Sequence, residues 1–179
     1  MHISITGDLG SGKSSVAKML SDKLGYKFLS TGAIQRRLAL EKGMNTLEFN
    51  NYTDHNKEID DYIDQHLKDI NNINEPYVID SRLAWFFIKN SFKVYLNTNK
   101  KIAAQRILND NNRISEPITT EIEKKIEESE MRRNSEMSRF KKNYGVKYDI
   151  NSSFDLVLDT SYISIEEVVQ KILDVYQNI

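Results

Sequence analysis

The chain has 179 residues, with 25 basic and 26 acidic side chains, three histidines and no cysteine, a size that suits one compact domain. Its formal net charge of −1 argues against a general binder of nucleic acid or of an anionic membrane, and the absent cysteines exclude disulfides and thiolate zinc sites. A hydrophobic share of 39% is enough for a packed core, yet no apolar run approaches the ~18–20 residues of a membrane span.

The sequence runs directly into an apolar strand, Ile3-Ser4-Ile5-Thr6, with no cationic and apolar leader, so the expected location is the cytoplasm. Gly7-Asp8-Leu9-Gly10-Ser11-Gly12-Lys13-Ser14 follows, with Ser15 continuing into a helix that reads from Ser14 to Leu24. A glycine, four variable residues and Gly-Lys-Ser form the phosphate-binding pattern, and the strand before and helix after are the context it requires. Gly7, Gly10 and Gly12 let several backbone N–H groups point at one anion, and the helix N-terminus adds partial positive charge there. Lys13 can reach the β- and γ-phosphates, and the Ser14 hydroxyl can bind Mg2+. A glycine-rich hairpin turn would need neither the Lys-Ser pair nor the flanking elements. Asp8 is out of place beside phosphates, because like charges repel, and is expected to point outward.

Gly25-Tyr26 closes the first helix, and Lys27-Phe28-Leu29 reads as a short second strand. Ser30 or Thr31 then caps a helix that runs to about Lys42, closed by Gly43. Thr46 to Ile70 has helical spacing of Leu47, Phe49, Tyr52, Ile59, Ile63, Leu67 and Ile70, broken near Asp54 to Asn56. Pro76 to Asp80, Phe92 to Leu96 and Phe154 to Leu158 are the remaining strands, with helices over Lys100 to Asn109 and Ser164 to Gln177. Strands alternating with helices imply an α/β fold with a parallel sheet covered on both faces. Ligands should gather outside the carboxyl ends of the strands, which singles out Gly7 to Ser14, Ser30 to Arg37 and Asp80 to Arg82.

Asp80 sits where a metal-associated acid belongs, although an Asp at a strand end also serves as a helix cap or a solvated group. Arg82 suits bidentate phosphate contact or, alternatively, a surface ion pair. In the highly charged stretch from Glu116 to Asn143, Arg132, Glu136 and Arg139 share one helical face. An exposed ion-pair ladder has the same spacing. A protein that transfers phosphate, however, needs a mobile helix bearing arginines to neutralise the moving charge. His2, His55 and His66 have no ligand spacing, and Trp85-Phe86-Phe87 reads as packing rather than as a base-stacking platform.

With these residues in place, the chain resembles the short, archaeal-type cytidylate kinases of the P-loop nucleoside monophosphate kinase group. The likeness runs essentially end to end. It is carried by the phosphate loop, by Ser30-Thr31-Gly32-Ala33-Ile34-Gln35-Arg36, by Gly43-Met44 with Leu47 to Asn50, and by Glu58-Ile59-Asp60 with Ile63-Asp64. Asp80-Ser81-Arg82-Leu83-Ala84 and Ser135-Glu136 through Arg139-Phe140 to Tyr144-Gly145-Val146 complete it. The resemblance implies a five-stranded parallel sheet with a helical acceptor-binding segment over about 30–72 and a helical lid over about 110–143. It implies transfer of the ATP γ-phosphate to CMP or dCMP by a monomer that acts on small nucleotides, with no nucleic acid or membrane partner.

Residue by residue, the resemblance places Gly7 to Ser15 and Arg106 at the ATP, Arg106 against the adenine, and Ser14 and Asp80 at Mg2+. Ser30, Gly32, Arg36, Asp60 and Arg82 would take the acceptor, with Arg36 and Arg82 on its phosphate. Lys13, Arg132 and Arg139 would be catalytic, the two lid arginines being oriented by Glu136. The family commonly has Gly where this chain has Ser81, and longer bacterial cytidylate kinases carry an acid where this chain has Leu83. Reading of the base then falls to Asn50, Asn51, Asp60 or Asp64. A P-loop kinase for another small acceptor, or a slowly hydrolysing nucleotide switch, fits the phosphate loop as well. The segment Leu96-Asn97-Thr98-Asn99-Lys100, however, lacks the signature of guanine reading.

Overall fold

Short apolar runs that would be buried on both faces become strands, and the amphipathic stretches between them become the covering helices. The computed structural model describes residues 1–110, 121–146 and 150–179. Strands β1 (His2–Gly7), β2 (Lys27–Ser30), β3 (Tyr77–Asp80), β4 (Ser91–Asn97) and β5 (Leu156–Asp159) form one parallel sheet in the order β2-β3-β1-β4-β5. The chain leaves β1 toward one edge and β3 toward the other, so a crevice opens at the carboxyl ends of these two central strands.

The helices are α1 (Lys13–Leu24), α2 (Thr31–Glu41), α3 (Thr46–Thr53), α4 (Lys57–Ile70), α6 (Lys100–Leu108), α7 (Ile122–Tyr144) and α9 (Ile165–Tyr176). Two single-turn pieces, α5 (Ala84–Phe87) and α8 (Ile150–Ser153), complete the described elements. The α5 turn is not expected from sequence; it aims Trp85 and Phe87 into packing contact, with Trp85 5.3 Å from Phe154 and Phe87 5.3 Å from Tyr144. Of the expected lid, the part on residues 111–120 lies outside the described residues. No helix among the described residues is long and apolar enough to cross a membrane.

Side chains alternate across the sheet, and each face has its own core. Ile3, Ile5, Val78, Val94 and Leu96 pack with Val16, Ala17 and Leu20 of α1 and with Val168, Val169 and Ile172 of α9. On the other face Ile79 joins Leu67 and Ile70 of α4, Leu83, Ala84 and Ile88 around α5, and Phe140 of α7. Neighbouring Val78 and Ile79 thus serve opposite cores, as a period of two requires. Ser30 caps α2 by accepting from the Ala33 amide at 3.2 Å, and Asn45 with Glu48 forms a capping box on α3.

Leu20 is fully buried, whereas Leu40 on α2 is 57% exposed. Leu20→Ala should lower unfolding stability by about 2–5 kcal/mol, against less than about 0.5 for Leu40→Ala, in guanidinium titrations. A Leu20→Ala cost below about 1 kcal/mol would show that the α1 core is wrongly drawn.

Candidate active site

The phosphate loop is shaped by what its backbone must approach. Gly10 has φ +78°, and a Cβ there would stand 2.6 Å from the Ala103 carbonyl oxygen, so α6 can lie against the loop only if this residue has no side chain. Gly12 has φ +85° and caps α1, and nothing lies within 4 Å of where its Cβ would be. That open side faces the cleft. Around it the Asp8 carbonyl accepts from Lys13 Nζ at 2.6 Å, from Ser11 Oγ at 2.9 Å and from the Ser11 amide at 3.3 Å.

Asp80 ends β3 and pairs in register with Ile5 of β1 and Ser30 of β2. Its Oδ2 accepts from Ser14 Oγ at 2.5 Å and Ser30 Oγ at 2.9 Å, and the residue is buried. A hydroxyl on the phosphate loop thus sits against a carboxylate. This hard oxygen pair suits Mg2+, which keeps several waters and takes one or two protein ligands beside phosphate oxygens. Among the described residues no group of three or more His, Cys, Asp and Glu gathers as a metal cluster, so such a site would depend on the nucleotide for its remaining ligands.

Two arginines meet on one acid at the cleft's edge. Glu136 of α7 accepts from Arg132 Nε at 3.0 Å through Oε1 and lies 3.1 Å from Arg82 Nε through Oε2. Arg82 also donates from Nη1 to the Gly7 carbonyl. Burial alone would raise the Glu136 pKa, but the Arg82, Arg132 and Arg139 guanidiniums more than reverse this and hold the carboxyl below its usual range. Neither the exposed ladder nor the surface ion pair survives: Glu136 is 3% exposed.

A cleft of about 650 Å³ joins these parts. Its floor is Leu9 to Val16, with Asp80, Ser81 and Arg82 beyond it. Thr31, Gly32, Gln35 and Arg36 of α2 form one side, with Arg132 above, and Arg106, Thr160, Ile163, Ile165 and Val168 form the other. Arg106 is pinned there, donating from Nη2 to the Thr160 carbonyl at 2.6 Å and from Nη1 to Thr160 Oγ1 at 3.3 Å. Sequence reasoning missed Thr160, Ile163, Ile165 and Val168, because the rule that ligands gather beyond strand ends was applied after β1, β2 and β3 but not after β5.

Not every expected residue reaches the cleft. Asp8 does not point outward. Its carboxylate turns away from the phosphate cradle but inward, accepting from Tyr95 OH at 3.0 Å and from Arg133 of α7. Arg139 does not border the cleft. Asp54, just past the end of α3, and Asp60 of α4 capture its guanidinium, with Nε 3.0 Å from Asp60 Oδ2, and bury it. Of the base-reading candidates, Asp60 and Asn50 sit in this same buried contact, and Asp64 accepts from Tyr144 OH, while Asn51 is exposed. Residues seven apart on a helix share a face, but α7 is long enough for that face to meet the cleft at Arg132 and, at Arg139, the acids Asp54 at the end of α3 and Asp60 on α4.

This geometry puts a phosphate loop, a metal-type hydroxyl–carboxylate pair and bracketing arginines in one crevice. Over residues 2–162 the chain matches the cytidylate kinase-like family. The chain belongs to that family. It is 38% identical over 180 residues to a cytidylate kinase of Sulfurisphaera tokodaii, covering 99% of this chain and 96% of that protein. It is also 36% identical over 177 residues to an S-adenosylmethionine-dependent nucleotide dehydratase of Lacinutrix mariniflava, spanning 98% of this chain but only 36% of that longer protein. Among solved structures, a deoxyadenosine kinase from M.mycoides superposes with a TM-score of 0.59 at 18% identity, covering 100% of both chains, which shows a shared fold.

Burial pushes the Asp64 carboxyl up to about 6, although Tyr144 donates to it. A folded-state pKa above the unfolded 3.8 means the native state holds its proton more tightly, so stability falls as pH rises through this window. Asp64→Asn should therefore gain stability relative to the parent between pH 4 and pH 6, by up to about 3 kcal/mol in urea titrations. A difference that does not change with pH would place Asp64 in a solvated setting.

Proposed function

We propose that this chain is a nucleoside monophosphate kinase that transfers the γ-phosphate of ATP to CMP or dCMP. The observation that carries the reading is the single continuous cleft in which the phosphate loop lies between Arg106 and Thr160 on one side and Arg36 and Arg82 on the other. A donor and an acceptor phosphate can meet there in line over Lys13. The preference for cytidine is supported by the family and by relatives named cytidylate kinase.

In this reading the loop from Gly7 to Ser15 and Lys13 hold the β- and γ-phosphates, and Arg106 with Ile163, Ile165 and Val168 receives the adenine. Arg36 and Arg82 aim the acceptor phosphate, with Ser30 and Gly32 shaping that wall. Mg2+, which the Ser14 hydroxyl and Asp80 would hold, would supply neutralisation of phosphate charge. Arg132, oriented by Glu136, neutralises the charge on the group in flight, and α7 acts as the lid that excludes water. Helices α2 to α4 form the acceptor-binding segment. Asp60 and Arg139 act by joining that segment to the lid rather than by touching phosphate. No general base is needed, because the attacking oxygen belongs to a phosphate that is already anionic near neutral pH. The cleft residues named here all lie on one chain, and this reading takes a monomer as the acting unit.

An acceptor panel of CMP, dCMP, UMP, dUMP, AMP and GMP with ATP and Mg2+ tests the reading by ADP release. Stimulation by the cytidine nucleotides is expected; no stimulation by any of them would refute the kinase. Arg132→Ala should lower kcat by about 10³-fold or more when assayed at a temperature where the variant is still folded, because taking one guanidinium from buried Glu136 also lowers its stability. A kcat within about twofold of the parent would remove Arg132 from the transferring group. Arg36→Ala should raise the KM for the monophosphate and leave ATP binding nearly unchanged, whereas equal losses for both would put Arg36 outside the acceptor site.

A further inference from the structure

A carboxylate in a loop that binds a polyanion needs an explanation, and the structure supplies one. The backbone carbonyl of Asp8 faces the cradle and is gripped by Lys13 and Ser11, while its side chain leaves on the opposite side. There Tyr95 OH donates to Asp8 Oδ1 at 3.0 Å, Arg133 Nη1 donates to the same oxygen, and Arg133 Nη2 donates to Tyr95 OH at 3.3 Å. Burial and the neighbouring Asp8 charge raise the Tyr95 pKa, so the phenol stays a donor. Tyr95 is brought here by the strand period: Val94 and Leu96 enter the core on one face of β4, and Tyr95 points from the other.

Arg132 and Arg133 are consecutive on α7, and a helix turns by about 100° per residue, so the two guanidiniums serve different targets. Arg132 borders the cleft and holds Glu136, whereas Arg133 passes behind the loop to Asp8. We propose that Arg133 is a positioning residue for the donor nucleotide: by neutralising the Asp8 carboxylate it lets the phosphate loop accept a triphosphate, and it makes that acceptance depend on α7 being seated over the loop. The inference rests on the phosphate-binding role proposed above for Gly7 to Ser15.

Coulombic repulsion reaches further than hydrogen bonding, so an uncompensated Asp8 acts on phosphates bound one or two residues away without touching them. The Arg133 side chain is 43% exposed and that of Asp8 is 20% exposed, so the pair itself adds little to folding. Its effect should therefore appear in nucleotide affinity and not in thermal stability, which separates it from a merely structural contact.

The test is a double-mutant cycle on the full chain, titrating ATP with Mg2+ in the absence of acceptor and recording Tm for each variant. Arg133→Gln should weaken ATP binding by about fivefold or more, with Tm within about 2 °C of the parent and the KM for CMP within about twofold. Adding Asp8→Asn to that variant should restore affinity to within about twofold of the Asp8→Asn single variant, which itself binds ATP at least as tightly as the parent. A double variant as weak as Arg133→Gln alone, or an Asp8→Asn variant weakened by about fivefold, would overturn the proposal. Should Arg133→Gln fail to fold, the Asp8→Asn result decides by itself. ATP binding by the parent without coupling between the two positions overturns the role of Arg133 alone, whereas a parent that binds no ATP overturns the kinase reading.

Discussion

The cleft depends on one buried acid that stays ionised. Glu136 lies between Arg82, two residues past the end of β3, and Arg132, one turn earlier on its own helix. β3 is tied in register to β1, so Arg82 has a fixed height above the phosphate loop, and Glu136 transfers that height to α7. Taking a carboxylate out of water is unfavourable unless cations satisfy it, and removing one partner of such a buried group typically costs about 3–5 kcal/mol. The bridge therefore does more than hold two side chains. It sets where a helix bearing arginines sits relative to the place where phosphates would meet.

The same arrangement recurs along α7. Arg132 is matched by Glu136, Arg133 by Asp8 of the phosphate loop, and Arg139 by Asp54 and Asp60. Each of these three arginines is thus answered by acids from a different part of the chain. The helix is fastened at three heights: to the loop, to the end of β3 and to α3 and α4. A rigid-body shift of α7 has to strain all of these contacts together.

Much of this was legible in the sequence, and for identifiable reasons. The glycine-rich loop between an apolar strand and an amphipathic helix is a local pattern, and the alternation of strands and helices forces a parallel sheet. Asp80 and Arg82 follow from a rule about strand ends. What stayed hidden was non-local. Helical spacing puts Arg132, Glu136 and Arg139 on one face but cannot say that this face crosses from the cleft to a bed of acids on α3 and α4. Asp8 is a single odd residue until Tyr95 and Arg133, 87 and 125 residues away, are brought against it. The apolar wall of Ile163, Ile165 and Val168 was readable in principle, since it follows the last strand, but the short β5 gives little emphasis to what comes after it.

The central claim is that donor and acceptor lie on opposite sides of one phosphate loop. It is tested most directly by a crystal structure with a bisubstrate analogue in which adenosine and cytidine are joined by a chain of phosphates. The account expects the adenine against Arg106, Ile165 and Val168, the phosphates over Lys13 between Arg82 and Arg132, and the cytidine toward Arg36. A complex with the cytidine end seated beside Thr160, or with one end bound and the other in solvent away from α2, would contradict it.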